Sequence, residues 1–276
     1  MTKTPEKPAI AGVAGHPVRH SLSPILHGHW LKKYEINGSY VPLEIPPESF
    51  ESRVRQLMAE DYKGINVTVP HKEAAFRLAD VSDAVSSAAK ATNTLVFKDS
   101  KIYGYNTDVY GFKQSLVATF PNYKKEKAVL LGAGGAARGV LLALTELGFD
   151  EIIITNRSHE KADALAKEFG QKAAPWEEKH LHLGGANLLV NSTSLGLGGK
   201  EDLAINLENL PLSAIVYDIV YKPLETGLIR LAKSRGNPVM NGLKMLAYQA
   251  VPGFEMWFGQ RPEVTDELLK LLERSV

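Results

Sequence analysis

A run of small residues, Gly132-Ala133-Gly134-Gly135-Ala136-Ala137, closes an apolar stretch and opens an amphipathic one. Small residues there permit a tight strand-to-helix turn and let backbone amides approach a pyrophosphate at the positive end of a helix. The run fits a dinucleotide-binding fingerprint with alanine as the third small residue. The following strand ends in Asn156-Arg157-Ser158, 24 positions after Gly132. An acidic side chain at that point would take the ribose 2′-hydroxyl of NAD. A permanently charged, planar guanidinium between two small polar residues suits a 2′-phosphate instead, which points to NADP (NADPH) as cofactor. Ser158 could also cap the next helix, with Arg157 a solvated charge; the two roles are compatible.

A second set of polar groups precedes that run. In His20-Ser21-Leu22-Ser23-Pro24, Ser23 reads as a helix N-cap with Pro24 at the first helical position. Capping explains Ser23 but not Ser21, and two hydroxyls beside exposed helix amides make a carboxylate site. In Asn66-Val67-Thr68-Val69-Pro70-His71-Lys72, the lysine falls in a first helical turn, where the helix dipole opposes an ammonium. A broken local rule of this kind marks a functional candidate, against the plain alternative of a solvated lysine. Asn93, in Thr92-Asn93-Thr94, and Asp108, which ends Gly104-Tyr105-Asn106-Thr107-Asp108, add polar groups at element ends; read in isolation, Asp108 is an N-cap. Met245 and Gln249 share a helical face through their i, i+4 spacing. The eight histidines lack ligand spacing, so no metal site is expected.

Positioning these groups requires alternating short strands and amphipathic helices, the pattern of an α/β fold. The first half reads as strand Ile10–Ala14, helix Pro24–Tyr34, strand Tyr40–Leu43, helix Pro47–Met58 and strand Gly64–Val69. A helix from about Pro70, a weaker helical patch at Ser82–Ala89, and strands Thr94–Phe97 and Lys101–Tyr105 follow. Lys98-Asp99-Ser100 breaks those two strands without a glycine to set the turn type. Helix Asp108–Phe120 leads into a polar linker at 121–127. A second alternating set then runs through strand Ala128–Leu131, helix Ala136–Leu147, strand Glu151–Thr155, helix Ser158–Phe169, strands Asn187–Asn191 and Ile215–Tyr217, and helix Leu224–Ser234, with Ser192–Lys200 as a Gly- and Ser-rich loop. Two last helices, about Asn241–Phe258 and Pro262–Leu272, can belong to either half.

The 276 residues include 23 Gly, 15 Pro and no Cys, with 44% hydrophobic and 23% charged residues. The length favours two domains, and the apolar fraction is that of a globular chain. Thirty-two basic against 31 acidic residues give a net charge of +1, which argues against nucleic acid as a partner. The absence of cysteine excludes a disulfide framework, a thiolate metal site and a cysteine nucleophile. A polar amino terminus and the lack of a long apolar run point to a cytoplasmic protein with no membrane partner.

These segments together resemble the shikimate dehydrogenase family, almost end to end. The resemblance is carried by Gly15-His16-Pro17, His20-Ser21-Leu22-Ser23-Pro24, His27, Asn66–Lys72, Asn93-Thr94, Gly104, Asn106-Thr107-Asp108 and Gly111. It continues through Gly132–Ala137, Asn156-Arg157-Ser158, Asn191–Gly196, Tyr217–Tyr221 and Gln249-Ala250. The order and spacing of these motifs are far more specific than any one of them.

The resemblance implies an N-terminal α/β substrate domain (1–107, with helices from about 246–276 packing back on it) and a Rossmann-like NADP domain (108–245), with the active site in the cleft between them. It implies reduction of 3-dehydroshikimate to shikimate, in the pathway to aromatic amino acids, by a monomer or homodimer acting on a small molecule. Lys72 and Asp108 would be the catalytic pair. Ser21 and Ser23 would bind the substrate carboxylate, and Thr68, Asn93, Tyr221 and Gln249 its ring hydroxyls. Gly132, Ala133, Gly134, Gly135 and Ala136 would cradle the pyrophosphate. Asn156, Arg157 and Ser158 would hold the 2′-phosphate, with Ile219 and Gly242 lining the nicotinamide side. Gly28, Thr92, Ser158 and Ile219 depart from the common residues of the family without removing a catalytic group. A quinate or dual-specificity dehydrogenase and a non-catalytic NADP sensor are the competing readings.

Overall fold

The structure, a computed structural model, describes residues 7–199 and 201–276. Most of the polar amino terminus (Met1–Glu6) and Lys200, the end of the Gly- and Ser-rich loop, therefore lie outside the described residues. The chain divides into two compact units, one of residues up to Gly111 together with Leu246–Ser275, the other Phe112–Met245. No described helix is long and apolar enough to cross a membrane.

The first unit is built on β1 (Ala9–Gly15), α1 (Ser23–Lys33), β2 (Gly38–Glu44), α2 (Phe50–Ala59), β3 (Gly64–Val67), α3 (Lys72–Leu78), β4 (Val81–Ser82), α4 (Ala84–Ala89), β5 (Thr94–Lys98) and β6 (Lys101–Tyr105), followed by the start of α5 (Asp108–Thr119). Its sheet has the order β2-β1-β3-β5-β6-β4. The β1–β2 and β1–β3 pairs are parallel, as helical crossovers require, whereas β5 and β6 form an antiparallel hairpin. Asp99 and Ser100 turn that hairpin with φ of 51° and 57°. Two left-handed residues give the strand twist its matching two-residue turn, and short polar side chains tolerate the conformation where glycine is missing.

The second unit contains β7 (Lys127–Leu131), α6 (Gly135–Leu147), β8 (Glu151–Thr155), α7 (His159–Phe169), β9 (Lys172–Ala174), β10 (Leu188–Asn191), β11 (Ile215–Asp218), α8 (Gly227–Arg235) and β12 (Val239–Met240). All its strand pairs are parallel, in the order β12-β11-β10-β7-β8-β9. Counted from β7, this is the 3-2-1-4-5-6 order of a doubly wound dinucleotide fold, whose direction reverses between β7 and β10. These strands are buried on both faces and read as near-continuous apolar runs such as Ala128–Leu131.

The chain ends with α9 (Leu243–Phe258) and α10 (Asp266–Glu273). From Leu246 to Ser275 it belongs to the first unit. Phe254 packs edge-on against Trp30, and the Trp257 indole donates to the Leu95 carbonyl at 3.0 Å.

The α/β reading holds, but several boundaries move, each for a local reason. Helix α10 starts at Asp266 rather than near Pro262 because the Thr265 hydroxyl accepts from the Leu268 N–H. Likewise Thr226 caps α8, so that helix begins at Gly227 instead of Leu224. The Asn241 side chain accepts from Leu243 N–H, moving the start of α9 from Asn241 to Leu243. A 3₁₀ turn at Pro47–Ser49 precedes α2, and β3 ends at Val67, two residues short of the expected Val69. The short strands β4, β9 and β12 have two or three residues each, too few to show a period.

His27 lies wholly inside the first unit, stacked on Tyr40 at 3.9 Å. Burial lowers its pKa to about 3, so the fold holds the ring neutral. The unfolded chain binds that proton near pH 6.5, and stability therefore falls as pH drops from about 6.5 toward 3, by an amount on the order of 5 kcal/mol. We expect His27→Phe to flatten this acid-side loss. Thermal midpoints at neutral pH and near pH 4.5 measure it; equal drops in parent and variant would contradict the assignment.

Candidate active site

Lys72 is the first residue of α3, and its side chain is only 13% exposed. Its ammonium donates to Asp108 Oδ2 at 2.5 Å. The solvated-lysine reading is thereby corrected: the positive charge that the helix start disfavours is matched by a carboxylate 36 positions away. Asp108 is no N-cap either. It is the first residue of α5, its own N–H donates to the Asn106 side chain at 3.1 Å, and its carboxylate turns to Lys72 and Asn93. Sitting at a helix start also favours the negative charge.

Asn93 is the hub that holds this pair. Its amide group donates to Asp108 Oδ1 at 2.9 Å, with the Thr107 hydroxyl and Gln249 Oε1 also in reach at 3.0 and 3.2 Å. Its side-chain oxygen accepts from Thr107 N–H at 2.7 Å. Asn66 supports the hub from β3, donating to the Asn93 carbonyl and the Thr94 hydroxyl while it accepts from the Tyr40 phenol at 2.6 Å. Lys72, Asp108, Asn93 and Gln249, four of the residues singled out in the sequence, therefore meet in one network of the first unit. Tyr40, Asn66 and Thr107 are members the sequence reading did not assign; Tyr40 and Asn66 lie within β2 and β3 and Thr107 between β6 and α5, all three buried.

Ser21 and Ser23 lie beside the start of α1, but their local roles are exchanged relative to expectation. Ser23 is already helical, the N-cap position is Leu22, and Ser21 Oγ accepts the Ser23 N–H at 3.2 Å. The capping acceptor is thus Ser21, which a serine two residues upstream can provide through a local side-chain turn. Glu44, at the end of β2, anchors the same loop by accepting from Val18 N–H and from the His16 ring. Thr68 is half-buried just past β3, and Gly15 makes room for it: a Cβ there would lie 2.5 Å from the Thr68 methyl.

In the second unit, Gly132 leaves β7 with φ of +112°, and a Cβ would strike the Ser192 hydroxyl at 2.6 Å. Gly134 is the N-cap residue of α6; no side chain caps that helix and its first turn holds no acidic residue. Space within 4 Å of a Gly134 Cβ is open. Ala133, Gly135 and Ala136 are half-buried along the same turn. Free amides, open space and positive helix polarity fit a dinucleotide pyrophosphate. Arg157 is exposed and has no hydrogen-bond or ion-pair partner among the described residues. Ser158 stands at the N-cap of α7 without a side-chain cap bond; its hydroxyl donates to Glu160, and Asn156 donates to the Ser158 carbonyl. An uncommitted guanidinium beside these groups fits a 2′-phosphate.

Beyond β11, Gly242 packs so closely that a Cβ would lie 1.9 Å from the Ile219 carbonyl oxygen, and its N–H donates to Val220. Tyr221 is half-buried in that loop. Asp218 is fully buried and accepts from Asn191, Val220 N–H and Thr226. Burial outweighs these donors and raises its pKa to about 6.

A doubly wound parallel sheet with an open, small-residue helix start, in a chain that also holds a buried lysine–carboxylate pair, defines a dinucleotide-linked oxidoreductase. Comparison with known proteins gives the family. Residues 13–95 match the shikimate dehydrogenase substrate binding domain, 115–209 the shikimate / quinate 5-dehydrogenase family, and 242–266 the shikimate 5′-dehydrogenase C-terminal domain. The shikimate dehydrogenase (NADP(+)) of Paramagnetospirillum magneticum is 48% identical over 267 residues, covering 95% of this chain and 97% of that relative. Among solved structures, shikimate 5-dehydrogenase from Thermus thermophilus in complex with NADP(H) and shikimate superposes with a TM-score of 0.88 at 36% identity, covering 97% of this chain and 100% of that one. A quinate dehydrogenase from Corynebacterium glutamicum in complex with NAD gives the same TM-score at 25% identity, over 97% and 99% of the two chains. The chain belongs to the shikimate dehydrogenase family.

Proposed function

We propose that this protein catalyses the reversible, NADPH-dependent reduction of 3-dehydroshikimate to shikimate. The observation that carries the reading is the buried Lys72–Asp108 pair held by Asn93. NADPH, when bound, supplies the hydride; the chain's own residues bind, orient and manage the proton. Lys72 Nζ gives a proton to the ketone oxygen during reduction and takes it back in the reverse direction, while its charge stabilises the developing alkoxide. Asp108 keeps the ammonium oriented and accepts a substrate hydroxyl. A non-catalytic cofactor sensor would have no use for a largely buried lysine fixed at 2.5 Å from a carboxylate.

In this reading residues 1–107 with 246–276 form the substrate domain and 108–245 the NADP domain. Ser21 and Ser23 hold the carboxylate, and Thr68, Asn93, Tyr221 and Gln249 the ring hydroxyls. Gly132–Ala136 receive the pyrophosphate, Asn156, Arg157 and Ser158 the 2′-phosphate, and Ile219 and Gly242 line the nicotinamide. A cytoplasmic location and a monomeric or homodimeric state complete the proposal, with cell fractionation and light scattering as their readouts. The deciding experiment follows nicotinamide absorbance with shikimate and with quinate, each against NADP+ and NAD+. Turnover confined to shikimate with NADP+ supports the proposal; a preference for quinate or NAD+ overturns it.

The serine pair gives a finer test. Ser21→Ala is expected to raise KM for shikimate and to lose the capping acceptor of α1, about 1 kcal/mol of stability in urea unfolding. Ser23→Ala should raise KM without that capping loss, since its own hydroxyl caps nothing. An unchanged shikimate KM in both variants would place the carboxylate elsewhere.

A further inference from the structure

Asp218 is a fully buried carboxylate that the chemistry above leaves unused. It ends β11, at the carboxyl edge of a doubly wound sheet, where ligands of such folds bind. Its Oδ1 accepts from the Asn191 side chain and from Val220 N–H, both at 3.0 Å, and its Oδ2 accepts from the Thr226 hydroxyl at 2.7 Å. Each donor belongs to a different segment. Asn191 ends β10, and its own side-chain oxygen takes the N–H and hydroxyl of Thr193, which in turn accepts from Leu195 N–H. Val220 accepts from Gly242 N–H, the glycine pressed against Ile219. Thr226 is the N-cap of α8.

One carboxylate thus ties the loop after β10, the loop after β11 and the start of a helix to a single point. It has no ion-pair partner among the described residues, and the charge acting on it from Asp202 is of the same sign. A buried anion without a cation is a poor device for stability, since apolar side chains of similar volume fill such a place at lower cost. A stability rule broken at the ligand edge of the sheet marks a functional constraint.

We propose that Asp218 is a positioning residue for the cofactor, setting the backbone of residues 191–195 and 219–220 on which the nicotinamide half of NADP rests. The inference rests on the reading above that residues 108–245 form the NADP domain. What the site needs from Asp218 is acceptors in fixed places. An asparagine can keep its amide oxygen on Asn191 and Val220 and turn its amide group to the Thr226 oxygen, so Asp218→Asn retains most of the function, whereas Asp218→Ala releases all three segments.

Steady-state kinetics of the full-length protein test this, with KM measured separately for NADP+ and shikimate. Asp218→Ala is expected to raise KM for NADP+ by about tenfold or more, as the loss of several hydrogen bonds to a charged group allows, with KM for shikimate changed by less than about twofold. Asp218→Asn should stay within about threefold of the parent for both. An unchanged KM for NADP+ in Asp218→Ala, or equal rises for both substrates, overturns the proposal. Should Asp218→Ala not fold, Thr226→Val removes one donor and leaves the carboxylate; a rise in KM for NADP+ alone supports the proposal, and no rise overturns it. Arg157→Ala separates the two levels of inference. If it leaves KM for NADP+ unchanged, the NADP reading of this unit fails. If it raises that KM while the Asp218 and Thr226 variants do not, the positioning role alone fails.

Discussion

Lys72→Met is expected to lower kcat by about 10²–10⁴-fold, the usual contribution of a general acid–base group, while shikimate still binds. Methionine keeps most of the side chain's length, so packing around the first turn of α3 changes little. The electrostatics do change. Removing the ammonium leaves the Asp108 carboxylate, only 7% exposed, with Asn93 and the start of α5 as its remaining support. Breaking one side of a desolvated pair is destabilising, so Lys72→Met should unfold at lower urea concentration than the parent. Lys72→Met/Asp108→Asn removes both charges and should recover part of that stability. In kcat the double variant should be far less impaired than the product of the two singles, because the residues act as one unit. Circular dichroism confirms that each variant is folded. Turnover of Lys72→Met within roughly two- or threefold of the parent would end the catalytic assignment.

Arg157→Ala is expected to weaken NADP+ binding by about 1.5–3 kcal/mol, the worth of a hydrogen bond between charged groups, and to change NAD+ binding little. The structure makes this a clean test. Arg157 is exposed and makes no hydrogen bond or ion pair among the described residues, so its removal costs the fold little. Any loss is therefore read as lost cofactor contact. Titration of each cofactor by fluorescence gives the two affinities; equal losses for NADP+ and NAD+ would mean that the guanidinium does not meet the 2′-phosphate.

What the sequence alone determined is what short-range chemistry controls. The strand–turn–helix at Gly132–Ala137 was legible because only glycine readily permits a φ of +112° at position 132 and an approach as close as that to Ser192. The alternating strands and helices of the second unit were legible because strands buried on both faces must be apolar throughout, whereas the parallel pairing came from the tertiary structure. Lys72 stood out because an ammonium at a helix start contradicts the dipole. Its partner was decided only by tertiary structure. Asp108 read locally as a cap, and the sheet order that brings α3 and α5 together depends on strand pairings no local pattern encodes. Asn93 meets Gln249 across 156 positions, in a stretch of α9 that groups with the first unit although the second unit separates it in the chain. A buried polar group takes whichever partner the fold brings within hydrogen-bonding distance, because leaving it unpaired costs more than abandoning a local cap. That competition moved the cap of α1 to Ser21, turned Asp108 toward Lys72, and tied Asp218 to three separate segments.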